Sequence, residues 1–388
     1  GWLGLCFALS GTSASLTVSA AALVGQRIAE NPAWATLPLS LNLLGTMSSG
    51  IPASLLMQRI GRRNGFRIGT VVGLLGALLN IYAIQSESFT LFCLGSYLIG
   101  CLLGFGQLYR FAAIEVTPEE HKARAVSLVL FGGIFSGILG PGIAFLTKDW
   151  VEGAPFMGSY QSLIGLYILV FLLLQLVDLP KPTASEQQPR TRPFWEIMRQ
   201  TSWKISVLSA ALGYAAMALI MTATPLSMQA HQHSFSASAF VIQWHVIAMF
   251  MPSFFTGNLI QRFGGKNIML MGIALNLLCI LINTQGQFFL SYWSALILLG
   301  VGWNFMFIAG TTLLTETYRP EEKALVQGVN DVLVFGSAAS GSLLAGILQN
   351  QIGWESLNMV VAPPLLLLAG WLLWLKRNRG VLIQQPIH

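Results

Sequence analysis

Apolar runs about 20 residues long follow one another along this chain, and that is the length a helix needs to cross the hydrocarbon core of a bilayer. Twelve can be laid out. They fall at about 2–25, 34–58, 66–84, 89–114, 123–147 and 159–179, then at about 203–228, 237–261, 267–284, 289–315, 324–348 and 356–375. Composition closes off the soluble alternative, because 54% of the residues are hydrophobic and only 9% charged, too few to build a water-facing surface. In lipid each segment must satisfy its own backbone hydrogen bonds, so the spans are expected to be helices. The chain opens at Gly1 inside an apolar run, which is therefore read as a span. Cys6, Cys93, Cys101 and Cys279 lie in apolar runs with no paired spacing, as packing residues do.

The one long polar stretch divides the chain into a bundle at 1–179, a linker at 180–202 and a second bundle at 203–388. Basic residues cluster in alternate connections: Arg59, Arg62, Arg63 and Arg67, then Lys122 and Arg124, Lys181 to Lys204, Arg262 and Lys266, Arg319 and Lys323, and the tail from Lys376. The opposite side holds only Arg27 and Lys148. Basic loops stay on the cytoplasmic side, so both termini are expected there, in the multi-pass topology of a bacterial inner-membrane protein. The net charge of +6 then follows from topology, and the partner it implies is the bilayer rather than nucleic acid. An internal repeat is also visible. Gln58-Arg59-Ile60-Gly61 returns as Gln261-Arg262-Phe263-Gly264, and Pro118-Glu119-Glu120 returns as Pro320-Glu321-Glu322. The fold class expected is an all-α membrane protein of twelve transmembrane helices in two pseudo-symmetric six-helix bundles. Such parallel repeats are associated with alternating access around a midplane site.

The loop after the second span carries Arg59, Gly61, Arg62 and Arg63, and with it the chain resembles the major facilitator superfamily, whose signature there is Gly, Asp, then Arg-x-Gly-Arg-Arg. Ser54 and Gln58 stand where that Gly and Asp are expected. The resemblance implies a secondary transporter, not an enzyme. Span five, with Gly133, Gly137, Gly140, Pro141 and Gly142, partly resembles the signature of proton-coupled exporters. Close helix packing explains the same small residues.

Titratable residues inside spans are costly and hence functional candidates. Arg110 and Glu115 in span four and Asp331 in span eleven are candidates for gating or proton coupling. His245 in span eight is followed one turn later by Met249, and span seven has the same spacing in Met217 and Met221. Counted from the outer loop, the two pairs lie at matching depth. Thioether and imidazole are neutral ligands suited to Cu(I), and Met228, His231 and His233 offer donors for metal entry. Against this, thirteen methionines give roughly 0.4 such pairs by chance, and methionine commonly fills apolar gaps.

Met217-Ala-Leu-Ile-Met221 with His245-Val-Ile-Ala-Met249 resembles the distinguishing pair of the CcoA-like copper importers. That resemblance implies Met217, Met221, His245 and Met249 as transient copper ligands, with copper as transported substrate rather than permanent cofactor. It also implies inward transport supplying cbb3-type cytochrome oxidase assembly. A monomer is expected, and no ATP-binding motif is present, so ATP does not drive transport. The same wider family includes riboflavin importers, and an organic cargo would use Trp244, Trp303, Phe305 and Phe307 for stacking and Asn304 as a polar handle. A proton-coupled drug exporter is the other alternative.

Overall fold

A computed structural model describes residues 2–30, 34, 37–180 and 192–382, and among these there are helices and turns but no strand. Most of the expected linker and the end of the tail, with Lys181 and Arg190, lie outside the described residues. The helices are α1 (Trp2–Ile28), α2 (Leu37–Ile60), α3 (Arg62–Gln85), α4 (Phe89–Gln107), α5 (Tyr109–Glu115), α6 (Lys122–Phe131), α7 (Gly133–Thr147) and α8 (Met157–Leu176). They continue as α9 (Phe194–Arg199), α10 (Thr201–Ala230), α11 (Phe235–Phe250), α12 (Ser253–Phe263), α13 (Gly265–Gln285), α14 (Phe289–Leu314) and α15 (Lys323–Leu382), the last broken at Gly353 into two limbs. Among the described residues eight helices are long and apolar enough to cross a membrane, or nine if the bent pair α11–α12 is one span. The two limbs of α15 supply two crossings. α1 and α2 also have the length of spans. Their polar side chains face inward: Ser10, Thr12, Ser13, Thr17, Asn42, Thr46 and Ser49 are all withdrawn from the surface.

The sequence repeat has a backbone counterpart. Gly61 and Gly264 stand at the second-to-third span turns with φ of 87° and 83°, and Gly153 and Gly353 lie before the sixth and twelfth spans with φ of 76° and 75°. Only glycine adopts that region without strain. The Pro-Glu-Glu motifs form matching 3₁₀ turns, Glu119–His121 and Pro320–Glu322, ahead of α6 and α15.

The chain forms two compact units, Gly1–Pro193 with Tyr318–Ala339, and Phe194–Thr317 with Ser340–His388. In the first, small residues let helices touch: a Cβ on Gly140 would meet Thr12 O at 2.9 Å, and Ser136 Oγ donates to Ala8 O at 2.8 Å. Close packing of α7 on α1 thus accounts for Gly140 of the span-five glycines. A side chain at Gly142 would meet nothing. Cys6, Cys93 and Cys279 are buried and Cys101 half-buried, all as free thiols.

The first unit also gathers the charged residues singled out above. Arg62 donates to Glu115 (Nη2 to Oε1, 2.6 Å) and to Gln327 Oε1 (2.6 Å), and Lys323 Nζ lies 3.1 Å from Glu115 Oε1. Arg63 donates to the carbonyls of Leu174 (2.9 Å) and Gln175, closing the end of α8, while Arg59 is exposed. Deeper in the fold, Arg110 pairs with Asp331, with the two side chains 0% and 2% exposed. Arg110 also donates to Gln107 Oε1 (3.0 Å) and lies 4.7 Å from the Phe111 ring centroid. Asn330 donates to Asp331 Oδ1 at 3.0 Å, whereas Oδ2 accepts no hydrogen bond from the described residues.

Candidate functional site

In the second unit α14 is the central rod, and α10 and α11 both pack on it. Ser209 Oγ donates to Met306 O at 3.0 Å, and Gly213 admits the Met306 side chain. On the other side Gly300 lets the α14 and α11 backbones approach, since a Cβ there would meet His245 O at 2.8 Å and Met249 N at 2.9 Å. His245 is fully buried and its Nδ1 lies 2.7 Å from Leu296 O. A carbonyl can only accept, so Nδ1 carries the proton and Nε2 keeps a lone pair. That lone pair has no hydrogen-bond partner among the described residues.

One turn beyond His245 the span breaks. Pro252 lacks an N–H and its ring obstructs the preceding turn, and the axes of 240–250 and 253–263 differ by 42°. The Met249 carbonyl at the bend is taken by Asn304, whose Nδ2 donates to it at 2.7 Å and to Ser253 Oγ at 2.6 Å. Thr256 Oγ1 donates to Asn304 Oδ1 at 2.7 Å. Asn304 is thus the clamp of the break rather than a free polar handle. Asn304→Ala leaves the Met249 carbonyl and a buried hydroxyl unsatisfied, so a loss of about 1–3 kcal/mol is expected, read as a lowered thermal midpoint in detergent. An unchanged midpoint would show that the break needs no clamp.

Beside the break stands an aromatic wall. Trp303 and Phe307 stack at 5.0 Å with 13° between planes. Tyr214 meets both edge-on, at 5.2 and 5.6 Å, and Phe250 meets Trp303 edge-on at 5.7 Å. Trp303 is 1% exposed, and its Nε1–H has no hydrogen-bond partner among the described residues. Leu296, which holds His245, and Trp303 lie two turns apart on α14, roughly 10 Å. An unmet acceptor and an unmet donor therefore flank a broken span, the kind of place where carriers bind cargo.

Of the four expected ligands, Met217 and Met221 lie on α10 and His245 and Met249 on α11, helices that touch each other and α14. Met217 is buried on the face that continues Ser209 and Gly213, and Met221, half-buried, lies two turns along from Tyr214. Met249 is buried beside Gly300. Among the described residues no group of three or more His, Cys, Asp or Glu gathers as metal ligands would. Of the entry residues, Met228 is fully buried, and His231 and His233 each commit a ring nitrogen to a carbonyl, Ser227 O at 2.7 Å and Gln287 O at 2.8 Å. Trp244 belongs elsewhere, 38% exposed and packed on Phe240 and Trp293. Phe305 is buried. Tyr214 and Phe250 were not legible as site residues; the usable signal was Pro252, the interruption of an apolar run.

Helices of this length, order and repeat make the molecule a multi-pass membrane transporter, and the chain belongs to the Major Facilitator Superfamily, which it matches over residues 3–332 and 206–385. Among its relatives is the riboflavin transporter RfnT of Brucella anthropi, 39% identical over 363 residues, which are 93% of this chain and 91% of that one. The uncharacterized MFS-type transporter YdeG of Bacillus subtilis is 29% identical, covering 95% of this chain and 89% of its own. Solved structures share the fold. The human organic anion transporter MFSD10 aligns with a TM-score of 0.78 at 12% identity over 96% of this chain and 98% of its own, and a variant of the E. coli fucose:proton symporter FucP with 0.73 at 19% over 96% and 97%. The finer resemblance to copper importers gains no support from these relatives.

Proposed function

We propose that this protein is a secondary transporter of a flat heteroaromatic nutrient of the riboflavin class, carrying it inward across a bacterial cytoplasmic membrane. The observation that carries the reading is the full-length relationship to a riboflavin transporter at 39% identity. The site supports it chemically. A stacked Trp303–Phe307 wall suits a flat ring system, and the flanking Trp303 donor and His245 acceptor suit a molecule with both carbonyls and hydroxyls. The basic-loop bias supports cytoplasmic termini. Arg110 and Asp331 are assigned to gating or proton coupling, because a buried ion pair with one bare carboxylate oxygen can exchange its partner for a proton.

Copper import through Met217, Met221, His245 and Met249 is the second reading, and one observation favours it: the bare Nε2 lone pair one turn from Met249. It ranks lower because a relative 39% identical over 93% of this chain is a riboflavin transporter. Uptake by cells lacking their own flavin and copper importers separates the two. Expression of this chain is expected to confer saturable uptake of labelled riboflavin, with cellular copper unchanged. Copper accumulation without flavin uptake would reverse the ranking.

A further inference from the structure

A cavity of about 320 Å³ lies in the second unit, away from the aromatic wall, at the basic ends of α12, α13, α14 and the second limb of α15. Its polar lining is Lys266, Asn267, Thr312, Glu316 and Lys376, and its apolar lining includes leucines of α13, α14 and α15. Two cations face one carboxylate. Arg377 adds an exposed cation alongside, and Phe263 and Trp374 are 47% and 57% exposed nearby.

The repeat gives a comparison within the same chain. Gly61-Arg62-Arg63-Asn64 of the first half corresponds to Gly264-Gly265-Lys266-Asn267 of the second. In the first half Arg63 takes the carbonyls of Leu174 and Gln175, Arg67 donates to Asn64 Oδ1 (3.0 Å) and to Gln175 Oε1, and the hollow beside them, lined by Asn64, Arg67, Ile68, Val71, Val72 and Phe171, has Arg67 as its one charged residue among the described residues. In the second half shorter-reaching residues stand at those places, with Lys266 for Arg63 and Leu270 for Arg67. The hollow here is lined by two lysines and a carboxylate in place of one arginine. Lys376, from the last span itself, reaches Asn267 Oδ1 at 3.3 Å across it.

We propose that this cavity binds the phosphate-bearing headgroup of an anionic glycerophospholipid from the leaflet at the basic end of the bundle. The two lysines meet the phosphate, the Asn267 amide, which keeps one N–H beyond its bond to Phe263 O at 2.7 Å, donates to a headgroup oxygen, and the leucine wall takes the start of the acyl chains. Free phosphate shares the charge chemistry but has no use for the wall. Basic pockets between spans on this side of a membrane are where anionic headgroups settle, and exposed aromatic rings beside them sit at headgroup level.

Purified transporter in detergent is titrated with short-chain phosphatidylglycerol, short-chain phosphatidylcholine or inorganic phosphate, with thermal midpoint as readout and native mass spectrometry counting retained lipid. Phosphatidylglycerol is expected to raise the midpoint saturably, and the other two are not. Half-saturation should weaken at least fivefold in Lys266→Gln/Lys376→Gln and should not change in Lys204→Gln, a control at an exposed lysine of α10. If the double variant does not fold, Lys376→Gln alone, at an exposed position, must still weaken binding, as must Leu375→Trp, which fills the cavity. Equal response to phosphatidylcholine, an equal shift with phosphate alone, or variants that bind as wild type would each overturn the proposal.

Discussion

Asp331→Ala is expected to destabilise the folded protein by about 3–5 kcal/mol, because it takes from the buried Arg110 guanidinium its carboxylate partner. Arg110→Met should cost as much for the mirror reason. Both side chains are withdrawn from solvent, so the charge left behind does not regain water. Removing both partners has a different consequence. Arg110→Met with Asp331→Leu places apolar groups where two ions were desolvated, and such replacements are often neutral or stabilising. The double variant should therefore recover most of the loss in thermal midpoint. Losses that simply add would mean the two residues do not act as a pair. Recovered stability with abolished uptake would place the pair in the transport cycle. A double variant that transports normally would leave it a structural contact.

Much of the architecture could be read in advance, because the demands of lipid are written in run length and charge bias. The repeat, too, was legible, and the structure adds its backbone: the Gly of Gln58-Arg59-Ile60-Gly61 and of Gln261-Arg262-Phe263-Gly264 has positive φ. Pairings between distant residues could not be read. The acid that meets Arg110 lies 221 positions away, and no periodicity points to it. The cargo site was half legible. Counting from the outer loop sets the depth of Met217, Met221, His245 and Met249, but depth does not say which neighbour a face meets. Here α14 stands against both helices, with Gly300 admitting one and Met306 packing on the other. Asn304 was misassigned for a related reason. A buried asparagine looks like a handle for cargo until the Met249 carbonyl at the bend gives it a partner.

Trp303→Ala is expected to reduce riboflavin uptake by roughly 5- to 150-fold, since aromatic stacking on a flat base is worth about 1–3 kcal/mol and each 1.4 kcal/mol is tenfold. The variant also removes the partner on which Tyr214, Phe250 and Phe307 converge, so surface expression must be measured alongside. Trp303→Phe keeps a ring but not the Nε1–H, and should give an intermediate loss if that donor meets the cargo. Met249→Leu supplies the contrast. It conserves volume in a packed position and should cost little stability, and thioether sulfur has no special use against a flavin, so uptake should stay near wild type. For a metal cargo the order inverts, because Met249→Leu deletes a ligand while Trp303→Ala leaves His245 and the methionines in place. His245→Ala removes an acceptor under one reading and a ligand under the other, so it lowers transport in both and does not discriminate. The decision rests on Trp303 against Met249: sensitivity of flavin uptake at the methionine with tolerance at the tryptophan would remove the aromatic wall from the cargo site.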